Sequence, residues 1–231
     1  MTEALFLLVP FALGTILASH GGLLGYRLPR KGNVVWVPSK CEGCGRRLSL
    51  LELLPVIGYL LARGRCRECG YRIPVGYPLS EMFLGLVFAG LWLKLGPSGA
   101  FFRAAVALTL LLAAALSDLE KREIPDALSA SLFFFGFLFW GLSGHWSAPV
   151  MGALACGGLP LALALICPRG MGGGDAKLAL GTGAVLGPFA GALALGVASV
   201  SGAAWALCLR RKEVPFVPFL FGGAVFALLL S

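Results

Sequence analysis

The chain has 231 residues, of which 58% are aliphatic, aromatic or cysteine before its 33 glycines are counted, whereas a soluble domain reaches about 45–50% with glycine included. Only 13% are charged, and the net charge is +8. The charges are bunched, leaving uncharged stretches at 4–26, 127–168, 178–209 and 214–231, so an ordinary water-soluble fold is excluded and a polytopic membrane protein is expected.

A helix rises about 1.5 Å per residue and the hydrocarbon core is about 30 Å thick, so each crossing takes about 20 residues. The first span is placed at 4–25; it is too long for a removable signal peptide and lacks the basic start of one. Residues 27–78 are the one polar region and are read as an insert between the first and second spans. It carries Cys41-Glu42-Gly43-Cys44-Gly45 and Cys66-Arg67-Glu68-Cys69-Gly70, two CxxC knuckles with 21 residues between them. That spacing matches a four-thiolate zinc ribbon, with Cys41, Cys44, Cys66 and Cys69 as ligands and a glycine after each pair to permit a tight turn. Four sulfurs leave no open position for water, so the metal is expected to be structural. Disulfides are the alternative, and a reducing compartment disfavours them. Arg46, Arg47, Arg63, Arg65 and Arg67 would partly offset the charge of the centre. The apolar run 48–61 between the knuckles is too short to cross and is broken by Pro55 and Gly58. It is expected at the membrane interface or under the ribbon.

Spans follow at 79–96, 99–117, 127–142, 149–167, 176–187, 189–209 and 214–230. The long run 127–168 is divided by 143–149, and 178–209 by Gly187-Pro188. The expected fold is therefore all-α and polytopic, with about eight transmembrane helices and a small cytoplasmic zinc-ribbon-like insert. The organisation is 1–26 first helix, 27–78 four-cysteine insert and 79–231 membrane core. Under this alternation all Lys and Arg except Lys94 and Arg103 fall on one side, which the positive-inside rule makes cytoplasmic. The basic charge thus reads as topology and attraction to anionic headgroups of the lipid bilayer, with no nucleic-acid partner expected. Cys156, Cys167 and Cys208 lie in or at the end of spans and read as small buried side chains. Gly181, Gly183, Gly187 and Gly191 read as helix-packing positions.

The chain has three aspartates, Asp118, Asp126 and Asp175, all at the cytoplasmic ends of expected spans. Ionisable groups at membrane depth are costly, so function is the default reading. Two carboxylates from separate helices sharing a partly dry site cannot easily both ionise. One can then deprotonate a water attacking a peptide carbonyl while the other protonates the carbonyl oxygen, and Asp118 and Asp175 are the candidate pair. Since a helix N-terminus favours an anion and a C-terminus does not, Asp175 is expected to ionise first and Asp118 to hold the shared proton. Asp126, after Ile124-Pro125, reads as the N-cap of the fourth span. The glycines of Gly170-Met171-Gly172-Gly173-Gly174-Asp175 allow either a plain turn or the close approach of an extended substrate. Gly172, Gly173 and Gly174, with Lys177 beyond, are thus candidate substrate-binding residues. Lys177 would either act on Asp175 by its charge or reach to headgroups.

With these residues in view the chain resembles the bacterial type IV prepilin peptidases, a family of GxGD-class membrane aspartic proteases. The segment 170–178 resembles the family's second-aspartate motif, and Asp118-Leu119-Glu120-Lys121-Arg122-Glu123-Ile124-Pro125-Asp126 the first. The paired knuckles, Arg63-Gly64-Arg65-Cys66 and Tyr77-Pro78-Leu79-Ser80-Glu81 resemble the family's insert. The resemblance implies cleavage of type IV prepilins or pseudopilins after a glycine, at the cytoplasmic face of the bacterial inner membrane. It also implies, in many members, methylation of the new N-terminus with S-adenosylmethionine. Departures fall at Gly22 and Leu53, where the family commonly has asparagine, and at Val217, where glycine is common. They bear on methyl transfer, and Glu52 and Glu81 match acidic positions of the insert that would serve either methyl transfer or substrate contact. A cation transporter is the rival from another class, but it calls for an ionisable group at the bilayer midplane, and here the acids gather at one face. A non-catalytic zinc-ribbon membrane scaffold is the third reading.

Overall fold

A computed structural model describes residues 2–30, 38–167, 171–210 and 214–231, with side chains from residue 6 onward. Lys31, Arg169, Arg211 and Lys212, used above for orientation, and Gly170 lie outside the described residues. The chain forms α1 (Thr2–Arg27), α2 (Ile57–Leu61), α3 (Gly76–Leu95), α4 (Gly99–Lys121), α5 (Asp126–Leu142), α6 (Ser147–Ile166), α7 (Gly173–Leu186), α8 (Pro188–Leu209) and α9 (Val217–Leu230). Among the described residues the only β-pairing is two isolated bridges, so the all-helical expectation holds.

Every expected span has its helix, but by length and composition five can cross a membrane: Phe6–Arg30, Gly76–Leu95, Gly99–Lys121, Ser147–Ile166 and Pro188–Leu209. The other three fall short, α5 with 17 residues and α7 and α9 with 14 each. For α7 the reason is local and tertiary together. It starts beyond a glycine cap at Gly172 and stops at Gly187, whose φ of 87° is a conformation that side chains resist. At about 1.5 Å per residue it is roughly 21 Å long. It has no need of lipid-facing length, because α4, α5, α6 and α8 pack around it.

The chain divides into two compact units, Met1–Leu93 and Lys94–Ser231. In the first, α1 and α3 meet through small residues: a Cβ on Gly14 would lie 2.7 Å from the carbonyl oxygen of Leu84, and Phe11 and Thr15 close on Gly85. The two knuckles stand in the same unit. The apolar run between them is not buried beneath them, since Leu50, Leu60 and Leu61 remain exposed.

In the second unit α6 and α7 touch backbone to backbone, where Gly152 and Gly183 face one another so closely that a Cβ on either would overlap the other's carbonyl oxygen. This is the small-residue packing expected of membrane helices, which lack a hydrophobic drive toward each other and associate through close contact. Cys156 is buried at this contact, whereas Cys167 and Cys208, at the C-terminal ends of α6 and α8, are exposed, contrary to the sequence reading. Arg103 of α4 stacks on the Trp140 ring of α5 at 3.9 Å, which accommodates its charge.

Candidate active site and metal centre

Asp118 lies in the last turn of α4 and is buried. The helix stops because Arg122 adopts the left-handed conformation (φ 54°), its N–H returning to the Asp118 carbonyl. The Ser117 hydroxyl then holds the Glu123 carbonyl at 2.5 Å, fixing the turn that follows. That turn sets Ile124 against Gly174, so the two aspartate motifs meet in space. Asp175 is in the first turn of α7, close enough to Asp118 for their charges to act on each other, and its carboxylate takes the Gly172 N–H. A Cβ on Gly172 would stand 3.0 Å from Asp175 Oδ2, whereas Gly173 has open space around its Cβ position.

Two expectations about this site change. Asp118 Oδ2 accepts the N–H of Val217, at the start of α9, at 3.3 Å. A helix N-terminus therefore faces each aspartate, and the helix-end argument no longer separates them. The Val217 departure leaves this contact intact, because it is made by the backbone. Asp126 is not the N-cap of α5: Pro125 occupies that place without a side-chain cap bond, moving Asp126 to the first helical residue. There it takes Lys177 Nζ at 2.9 Å, so Lys177 pairs with Asp126 and joins the α4–α5 turn to α7.

The metal centre is built from two copies of one local turn. Cys41 N–H bonds to the Arg46 carbonyl and Gly45 N–H to that of Cys41; Cys66 and Tyr71, then Gly70 and Cys66, repeat the pattern. Gly45 and Gly70 hold φ of 74° and 70°, the left-handed values that the glycines were expected to supply. The four sulfurs lie within 4.8 Å of one another, and Cys41 and Cys69 are 3.7 Å apart. A tetrahedral zinc with bonds of about 2.3 Å needs sulfur separations of about 3.8 Å, whereas a disulfide needs about 2.0 Å. The cluster thus fits a metal and not a disulfide. Backbone N–H groups and Arg46 Nε, 3.4 Å from the sulfur, draw the Cys66 thiol below its ordinary value, which favours the thiolate form that binds a metal.

Sequence reasoning missed what Arg46 and Glu52 do together. Arg46 grips Glu52 with two N–H bonds while touching Cys66, and the Ser49 N–H and hydroxyl complete the carboxylate's partners. Arg46 foremost holds the Glu52 carboxyl down to about 2. Glu52 therefore braces the knuckles. It also missed Val56, whose φ of 60° and ψ of −51° form a γ-turn, with Ile57 N–H bonded to the Pro55 carbonyl at 2.6 Å. A β-branched residue seldom takes this conformation. Buried Glu81 of α3 secures it by accepting the Val56 N–H at 2.7 Å.

Residues 12–95 match the bacterial peptidase A24 N-terminal domain, and residues 105–207 match the type IV leader peptidase family. The chain is 33% identical over 231 residues to a prepilin leader peptidase/N-methyltransferase of Bacillus subtilis (strain 168), an alignment covering 95% of this chain and 92% of that one. It belongs to the type IV leader peptidase family. Similarity extends to proteins of the same description from Burkholderia pseudomallei (strain 1026b), 37% identical with 85% and 68% of the two chains covered, and Neisseria gonorrhoeae, 29% identical with 85% and 70% covered. No solved structure matches.

As a member of a protease family the chain is an enzyme, and it has the apolar helices of a multi-pass membrane protein. The family resemblance read from the motifs is borne out. Asp118 and Asp175 fall in the leader peptidase segment, and the four cysteines, Glu52 and Glu81 in the N-terminal domain segment.

Proposed function

We propose that the chain is an aspartic endopeptidase that removes the leader of type IV prepilins or pseudopilins after glycine, with Asp118 and Asp175 activating the water. One carboxylate takes a proton from water as the oxygen attacks the scissile carbonyl; the other gives its proton to the carbonyl oxygen, and collapse passes a proton to the leaving amine. Gly172, Gly173 and Gly174 let the substrate backbone approach beside Asp175, and Lys177 steadies the same wall through Asp126. We place the site at the cytoplasmic face of the bacterial inner membrane, on eight spans in which the short helices are completed by their neighbours. The exposed leucines of the insert would rest in the headgroup region. Cys41, Cys44, Cys66 and Cys69 would hold a structural zinc. The relatives' description as N-methyltransferases supports methylation of the new N-terminus as well. There S-adenosylmethionine would supply a methyl group to the amine, its sulfonium leaving as a neutral thioether and the ammonium shedding a proton.

The observation that supports the proteolytic reading most is the meeting of the two aspartate segments, Ile124 of the first against Gly174 of the second, in a member of a protease family. Cleavage is tested in membranes with a prepilin, reading the product's N-terminus by mass. Asp118→Asn and Asp175→Asn should each lower the rate about 10²–10⁴-fold while zinc content and helical signal are kept. Cleavage at the unaltered rate by either variant would end the two-aspartate reading.

A further inference from the structure

The run 48–61 joins the two knuckles and carries a row of exposed apolar side chains, Leu50, Leu51, Leu53, Leu54, Leu60 and Leu61. Its single charge is turned inward: Glu52 is bonded to Arg46 and keeps only 7% of its side chain exposed. Its backbone is folded on itself. The N–H groups of Glu52, Leu53, Ile57, Gly58 and Leu60 bond to carbonyls of the same run, and a Cβ on Gly58 would overlap the Glu52 carbonyl. A turn so satisfied can enter lipid, where an unpaired polar group is costly. One clip sets its depth. The Val56 N–H is held by Glu81, which also bonds Ser19. Glu81 is five residues inside α3 from Gly76, and Ser19 eight inside α1 from Arg27. At about 1.5 Å per residue the clip lies about 8–12 Å short of the helix ends. The 20 residues of α3 are just enough for a hydrocarbon core of about 30 Å, so that level falls beneath the headgroups. Leu79 and Met82, on either side of Glu81 in α3, are exposed too, which continues the apolar surface of the turn onto the helix. Arg47 and Arg63, just outside the two ends of the run, are exposed, as suits contact with lipid phosphates.

We propose that 48–61 is a membrane wedge, a turn that enters one leaflet beside α1 and α3 without crossing it, held at that depth by Glu81. Its partner is the lipid of the chain's own membrane, with the leucines among the acyl chains and Arg47 and Arg63 at the phosphates. The inference rests on the reading of α1 and α3 as spans, and carries the leucines deeper than the headgroup region. It is independent of the aspartate site. The wedge holds the two knuckles, which flank it in sequence, against the bilayer surface. The turn at Val56 gains a purpose from this, since it presents the N–H through which Glu81 fixes the depth.

The test uses the full chain in lipid nanodiscs with tryptophan as the reporter: Leu50→Trp and Leu60→Trp in the wedge, Glu68→Trp in a knuckle, and Leu86→Trp on the exposed side of α3. Emission in excess of the parent is read with brominated acyl chains in the lipid and with iodide in the water. Leu50→Trp and Leu60→Trp should lose their added emission to bromine and resist iodide, as Leu86→Trp does, whereas Glu68→Trp should do the opposite. Glu81→Leu removes the acceptor of the Val56 N–H and should move the Leu60→Trp reporter from bromine to iodide quenching with the helical signal kept. Glu81→Gln keeps an oxygen for that N–H and should leave the reporter where it is. Iodide quenching at both wedge positions, protection from both quenchers as under a second copy or another protein, or an unmoved reporter in Glu81→Leu would overturn the proposal. Escape of Leu86→Trp from bromine would bring down the span reading of α3 and the wedge with it. Bromine quenching at Leu86→Trp but at neither wedge position would leave the span standing and refute the wedge alone.

Discussion

The four-cysteine insert and the aspartate site are built in opposite ways. Each knuckle closes within six residues, Cys41 to Arg46 and Cys66 to Tyr71, through hydrogen bonds that the local sequence dictates. The aspartates instead sit on α4 and α7 and are joined by packing: Ile124 on Gly174, Val217 on Asp118, and α7 seated on α6 at Gly152 and Gly183. A local turn tolerates change elsewhere in the fold. A site made by packing is exposed to any alteration that parts its helices, even one far from the carboxylates.

Gly183→Leu is the strongest challenge of this kind. The added side chain would overlap the Gly152 backbone and meet Cys156, and overpacking of such a contact costs about 3 kcal/mol. Thermal unfolding in detergent should drop accordingly, and cleavage should be lost as α7 shifts, while zinc stays bound by the insert. Gly173→Ala is the control, since nothing lies within 4 Å of its Cβ position, and its unfolding should match the parent. A Gly183→Leu chain that melts and cleaves normally would show that the α6–α7 contact does not position Asp175.

A middle-sized effect is expected in the insert. Arg46→Ala removes the donor to Cys66 and the main partner of Glu52, and loss of such a supporting residue lowers zinc affinity about 10–100-fold, measurable by chelator competition at neutral pH. The acid response gives a second reading. Because Arg46 depresses the Glu52 carboxyl to about 2, the pair's stabilisation is full above the ordinary glutamate value and fades as pH falls through 2. In the variant the Glu52 titration should move up toward the ordinary value of about 4.3 and stop below it, because the Ser49 N–H and hydroxyl remain, as seen by carbon-labelled glutamate NMR. An unchanged Glu52 titration would mean that Ser49 alone holds it.

How far each region could be read in advance follows the same contrast. The knuckle glycines and the sulfur cluster follow from spacing, because a CxxCG turn fixes its own geometry. The helices follow from apolar runs, but their power to cross does not. The shortness of α7 depends on neighbours that only the fold supplies. At the aspartates the motifs were legible, while the helix-end argument was incomplete: it considered each residue's own helix, and α9 brings a second N-terminus to Asp118 through Val217. Asp126 and Lys177 were assigned separate roles for the same reason, since their separation of 51 positions hides the pair. Val56 lay beyond reach because its conformation opposes its own preference and its N–H is held by Glu81, 25 positions away.

The smallest expected effect tests whether anything local supports the packed site. Lys177 and Asp126 are 58% and 77% exposed, and such ion pairs contribute about 0–1 kcal/mol and are weakened by salt. Lys177→Ala should therefore leave unfolding nearly unchanged and slow cleavage by about two- to threefold, and Asp126→Ala should do the same, with the double variant no slower than either, because each removes one clip between the α4–α5 turn and α7. High salt should slow the parent toward the variants and leave the variants unaffected. A loss of about 100-fold in Lys177→Ala alone would place its ammonium on the substrate or the carboxylates, and the aspartate site would then depend on charge as the insert does.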